Sequence, residues 1–196
     1  MRALIVAFML SFAYVGMAQT DTNKIVISDK GHSMEMKIGD SVYTFSYDAL
    51  YADYLKKGVA KAETGDYTGA ISDFNTAWLY KNNDAQLYFN LGLAYYMTGD
   101  YNQAVKDFTN CIGLDSLYEA AYGQRGVSLC RLERTDESFK DFFTAVRLAP
   151  EKGLNYYNLG IAYLQAGLNE NACFNLYKAK ELGYPNASDV IEQYCK

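Results

Sequence analysis

The chain has 196 residues, with 18 Lys+Arg against 23 Asp+Glu and 19 Tyr, a length suited to one compact domain or a short repeat array. Half the residues are apolar and 21% are charged, which excludes an extended disordered chain. A net charge of −5 with no cluster of Lys and Arg excludes a nucleic-acid partner, because phosphate contacts need concentrated positive charge.

Residues 1–18 read MRALIVAFMLSFAYVGMA: a basic Arg2, an apolar stretch from Ala3 to Val15, and a small-x-small end at Gly16-Met17-Ala18. This is the pattern of a secretory leader. The apolar stretch is short for a spanning helix, which needs roughly 20 residues; an uncleaved anchor or a core helix is the alternative. No second long apolar run follows. The expectation is an exported protein, periplasmic or extracellular, not membrane-spanning once the leader is removed, in a compartment where disulfides form.

Residues 19–46 read as an extension with strands. Met34, Met36 and Ile38 alternate with Glu35 and Lys37, and Tyr43 and Phe45 with Val42 and Thr44. Gly39-Asp40 suits a two-residue hairpin turn. Pairing Ile38 with Ser41 sets Met36 opposite Tyr43 and Met34 opposite Phe45, giving one Met/aromatic face. Residues 24–28 offer a third strand through the Asp29-Lys30-Gly31 turn. Four readings stay open: a cap on the first helical unit, a strand offered to a partner, a plug in a groove, or a disordered segment. His32, the single histidine, falls in this turn region and reads as a solvated loop residue; one His excludes a multi-His metal site.

From residue 51 a 34-residue period organises the chain. Gly58, Gly92, Gly126 and Gly160 are each 34 apart, as are Tyr54, Tyr88, Tyr122 and Tyr156. Phe74, Phe108, Phe142 and Leu176 keep the interval, and so do Ala70, Ala104, Ser138 and Ala172, and Ala77, Cys111, Ala145 and Ala179. Gly65, Gly99 and Gly167 recur with Glu133 in the third place. Each unit reads as two helices: Tyr88, Leu91, Gly92 and Tyr95 share one helical face, a Thr98-Gly99-Asp100 turn follows, and Ala104, Phe108, Cys111 and Ile112 face inward from the second helix. One such hairpin cannot bury its own apolar face, so neighbours must stack.

Residues 186–196 predict a ninth helix that covers the last apolar face. Cys173 and Cys195 each lie about eleven residues from the turn near Tyr184-Pro185, so antiparallel helices bring them to one height, within disulfide reach. Cys111 and Cys130 are offset by roughly 9 Å along their helices at about 1.5 Å per residue, and Cys111 sits in a small-residue core column. Asn186-Ala187-Ser188 matches a glycosylation sequon.

The period and its columns resemble the tetratricopeptide repeat, whose pattern is an aromatic, Leu-Gly, Tyr, then Ala, Phe, Ala and Pro over 34 residues. The best matches are Tyr88-Leu91-Gly92-Tyr95-Ala104-Phe108 and Tyr156-Leu159-Gly160-Tyr163-Ala172-Ala179. The likeness covers 51–186, about 70% of the chain. Departures are Lys57 and Arg125 where Leu is usual, Lys61 at the second aromatic, and Leu176 for Phe. The resemblance implies an all-α, right-handed superhelical solenoid over 47–185, with four repeats at about 51–84, 85–118, 119–152 and 153–186.

It also implies a concave groove lined by the first helix of each repeat. The family's groove positions fall on Phe89, Asn90, Leu93, Tyr96 and Met97, then Gln124, Val127 and Arg131, then Tyr157, Asn158, Ile161 and Leu164. Asn90, Gln124 and Asn158 stand one repeat apart, an amide ladder able to donate to and accept from an extended peptide backbone. Some members grip a C-terminal carboxylate with paired Lys and Asn; only Asn90 and Asn158 match that set, with Leu55, Val59, Phe89 and Leu93 at the other places. The expectation is a non-enzymatic scaffold for a protein or peptide partner, without cofactor or metal. The alternative is a structural envelope subunit that docks through its N-terminal hairpin or its ends. No phosphate-cradling loop, metal constellation or nucleophile–base pair supports an enzyme.

Overall fold

The computed structural model describes residues 25–38 and 40–195. The candidate leader, residues 1–18, and the turn residue Gly39 lie outside them. Strands β1 (Ile25–Asp29), β2 (Ser33–Ile38) and β3 (Ser41–Ser46) come first. Nine helices follow among the described residues: α1 (Tyr47–Glu63), α2 (Tyr67–Tyr80), α3 (Ala85–Thr98), α4 (Tyr101–Leu114), α5 (Glu119–Arg131), α6 (Thr135–Leu148), α7 (Gly153–Gln165), α8 (Asn169–Glu181) and α9 (Ala187–Tyr194). Helices pair as α1/α2, α3/α4, α5/α6 and α7/α8, each pair packs on the next, and the chain forms an all-α solenoid behind a small sheet.

Inside every hairpin the glycine column meets the aromatic column. A Cβ on Gly58, Gly92 or Gly126 would lie 2.4, 2.6 or 2.7 Å from a ring carbon of Phe74, Phe108 or Phe142. In the last pair Leu176 takes the ring's place, 2.8 Å from a Cβ on Gly160. Only a residue without a side chain lets the two helices close over a fully buried ring. The small-residue columns are sealed beside it, with Ala70, Ala104, Ser138 and Ala172 all at 0% exposure.

The turn inside each hairpin needs a left-handed residue. Gly65, Gly99 and Gly167 supply it at φ 85°, 85° and 75°, whereas the third repeat forces Glu133 to φ 59°. Asp66 and Asp100 then accept from the backbone N–H three residues on and cap the second helices.

Between repeats, the tyrosine column ties the first helix to the preceding loop. Tyr88 Oη donates to the carbonyl of Asn82 (3.1 Å), and Tyr122 Oη to that of Ser116 (3.3 Å). Asn155, buried on α7, donates to the carbonyls of Ala145 and Ala149 and so satisfies acceptors at the end of α6.

The N-terminal extension forms a three-stranded antiparallel sheet ordered β1-β2-β3 rather than a lone hairpin. Its β2–β3 register pairs Ile38 with Ser41, Met36 with Tyr43 and Met34 with Phe45. Met34 and Met36 are buried, but Tyr43 on the same face remains half exposed. Gly31 turns at φ 84°, its N–H bonded to Asp29 Oδ1. Ser46 ends β3 and caps α1, so sheet and solenoid join without a linker.

At the other end α9 is shorter than the 186–196 span expected of it. It buries Ala187 and Ile191 against Leu176 and Ala179. Cys173 and Cys195 form a disulfide with Cα atoms 5.6 Å apart. Cys111 and Cys130 are free, Cys111 fully buried.

Candidate protein-binding groove

Helix α3 separates two surfaces. Asn90, Leu93 and Met97 lie on one face and, with Val59, Ala62 and Glu63 of α1, line a mostly apolar depression of about 330 Å³. One repeat pair further on, Val127 and Arg131 of α5 join Tyr157, Asn158 and Ile161 of α7 around a second depression of about 360 Å³, with Glu133 at its edge. Most of these residues come from first helices, which touch one another along the array, while Phe74 and Phe142 of the second helices also line the depressions.

Between the two depressions Arg131 Nε donates to Tyr96 Oη at 3.4 Å. That bond raises the Arg131 guanidinium further above its ordinary range. Tyr96 also sits 5.4 Å from the Tyr101 ring. Gln124 is half-buried on α5, one repeat from each ladder neighbour. Asn90 Nδ2 is buried and has no acceptor among the described residues. A buried donor left unpaired costs free energy until something accepts from it.

The structure separates other expected groove residues from this surface. Phe89 packs inward, its ring 4.9 Å from Tyr118 and 5.7 Å from Phe108. Leu164 packs against the C-terminal core cluster. Tyr157 serves both sides: it lines the second depression, and its ring lies 4.8 Å from Tyr184. Burial raises its phenol pKa above the usual value, so it stays a neutral hydrogen-bonding group.

Sequence reasoning missed one more column. Asp73, Asp107, Asp141 and Asn175 stand 34 apart, and all four are buried. Lys61 Nζ lies 2.7 Å from Asp73 Oδ2. Arg125 grips Asp141 through Nε to Oδ2 (2.8 Å) and Nη2 to Oδ1 (2.7 Å), and reaches Thr109 Oγ1 (3.1 Å). Asn175 donates to the Asn171 carbonyl. Two of the departures from the repeat pattern, Lys61 and Arg125, are thus the cations that answer these carboxylates. The 34-residue spacing was the available signal, but an acidic residue in a helix ordinarily reads as a solvated face.

Residues 58–99 match a family described as TPR repeat, and residues 85–116 one described as Tetratricopeptide repeat. Residues 58–116 belong to the tetratricopeptide repeat family. No curated protein matches its sequence. Among solved structures, MamA is 22% identical over 73% of this chain and 88% of that one, with a TM-score of 0.65. PilF of Pseudomonas aeruginosa is 19% identical over 75% and 70%, with a TM-score of 0.66. The second TPR domain of human RPAP3, in complex with the HSP70 peptide SGPTIEEVD, is 26% identical over 60% and 98%, with a TM-score of 0.58. The first TPR of Spaghetti (RPAP3) was solved bound to the HSP90 peptide SRMEEVD. This protein shares their fold. Among its described residues no helix is long and apolar enough to cross a membrane.

Proposed function

We propose that this protein is a non-enzymatic interaction scaffold of an exported compartment that holds an extended polypeptide segment in its concave groove. The observation carrying this reading is the unpartnered, buried Nδ2 of Asn90 beside the apolar depression, with Asn158 beside the second depression and Gln124 between them at the same 34-residue spacing. An extended backbone has a carbonyl to offer Asn90, and the depressions accept apolar side chains beside it. Export is supported by the leader pattern of residues 1–18 and by the Cys173–Cys195 bond, since disulfides persist in oxidising compartments.

The acidic tails seen on the RPAP3 domains do not fit this groove. Leu55, Val59, Phe89 and Leu93 replace polar members of the carboxylate-gripping set, and Glu63 and Glu133 edge the two depressions. A neutral or basic segment with apolar side chains suits the surface better.

The test is selection of extended peptides on the purified protein, followed by amide shift mapping. Selected peptides should perturb Asn90, Gln124 and Asn158. Joint replacement of the three by Ala should weaken binding about tenfold or more without lowering the melting temperature. Peptides indifferent to that triple variant would overturn the reading.

One observation favours docking through the extension as a second reading. Strand β3 is an edge of the sheet, and its Val42 and Tyr43 are about half exposed. Deletion of residues 20–45 that abolishes complex formation, with the groove variant still competent, would favour it.

A further inference from the structure

We propose that the cleft between α2 and α4, floored by α3, receives the guanidinium of an arginine side chain on a partner polypeptide, with Asp107 as its counter-charge. The cleft measures about 330 Å³ and is lined by Trp78, Tyr88, Leu91, Gln103 and Asp107 among others. Its α3 wall, with Tyr88, Leu91 and Tyr95, is the face opposite Asn90, Leu93 and Met97, so this surface is distinct from the groove and stands independently of the function proposed above.

The repeats themselves indicate the occupant. One repeat on, the equivalent cleft of about 310 Å³ is lined by Arg125 and Asp141. There the guanidinium makes two parallel bonds to the carboxylate and lies 5.6 Å from the Tyr122 ring. In the second repeat Leu91 stands at the Arg125 position, Tyr95 stands at the Lys61 position, and Tyr88 matches Tyr122. The first and third repeats therefore answer their buried acid with a cation, and the fourth, also lacking a cation at both positions, carries the neutral Asn175. Only the second repeat keeps the acid without the cation.

Asp107 is 4% exposed and receives Gln103 Nε2 at 3.2 Å, but no ion pair among the described residues engages it. Lys106 lines the same cleft without pairing with it. Desolvation, the dominant cause, pushes the Asp107 carboxyl up to about 6 against the opposing pull of hydrogen bonds from Gln103 and Asn110 and the nearby charge of Lys106, so at neutral pH it is an ionised group without a bonded cation. Bidentate geometry and aromatic walls favour guanidinium over ammonium.

Trp78 is the sole tryptophan of the chain and its indole donates to Tyr88 Oη at 2.8 Å, so its emission reports on this cleft. The purified full chain is titrated with a capped Gly-Arg-Gly peptide and with its citrulline counterpart, which keeps the shape and loses the charge. Arginine should give a saturable change in Trp78 emission, with citrulline weaker by about tenfold or more. Asp107→Asn should lose the arginine response to the same degree. Leu91→Arg, which supplies the guanidinium from within, should abolish it. Equal responses to arginine and citrulline, or an undiminished response in Asp107→Asn, would overturn the proposal; the Asn variant decides the matter even if Leu91→Arg fails to fold.

Discussion

Arg125 and Asp141 meet side-on within the third hairpin, with two hydrogen bonds of 2.8 and 2.7 Å between a guanidinium and a carboxylate that are both largely withdrawn from water. The pair replaces the Leu of repeats two and four with a charge that only its partner justifies. Breaking a buried pair from one side strands the other charge, whereas replacing both members can be nearly neutral. Arg125→Leu should therefore cost about 3 kcal/mol. Adding Asp141→Asn should restore most of it, because Leu with Asn is what the fourth repeat uses at Leu159 and Asn175. Urea unfolding of the single and double variants checks this; a double variant no more stable than the single would refute it.

Asp107 makes stability depend on pH in a stated direction. Its folded pKa is raised from 3.8 to about 6, mainly by desolvation. Between those values the folded state holds a proton that the unfolded state has released, so this residue's contribution falls as pH rises through the window and is constant above it. Asp107→Asn removes the penalty. The variant should match the wild type near pH 3.5 and exceed it at pH 7 by about 2 kcal/mol, discounted for water in the cleft. Denaturant midpoints across that range measure the gap.

Two backbone positions should respond in opposite ways. Gly92→Ala would press a methyl group to within 2.6 Å of the Phe108 ring and should cost about 1–3 kcal/mol. Glu133→Gly should stabilise by about 1 kcal/mol, because it relieves the one positive-φ non-Gly residue among those described. Gly113→Ala, with no atom within 4 Å of its new Cβ, is the control and should be neutral or mildly stabilising. Thermal melts of the three variants suffice.

The Cys173–Cys195 bond closes a loop across a sequence separation of 22 residues. Reduction should cost about 3 kcal/mol by loop closure and release α9 first, since that helix is held otherwise by Ala187 and Ile191. Hydrogen exchange with and without reductant should show protection lost over α9. Burial pushes the Cys111 thiol up to about 12 and raises that of Cys130 as well. Native alkylation at pH 8 should leave Cys111 untouched, and rapid labelling there would contradict the buried placement.

Sequence alone determined what rests on periodicity. The 34-residue columns located the hairpins, the alternation of Met and aromatic residues set the strand register at Met36 and Tyr43, and counting rise per residue brought Cys173 level with Cys195. Each follows from a fixed repeat along the chain, so no knowledge of neighbours is needed. Tertiary structure decided which side chains those positions meet. Phe89 carries a groove position yet turns to Tyr118, and Asp107 and Asp141 are alike in sequence but differ in having a cation. Burial and charge pairing depend on what a neighbouring helix brings within a few ångströms, and that is a property of packing.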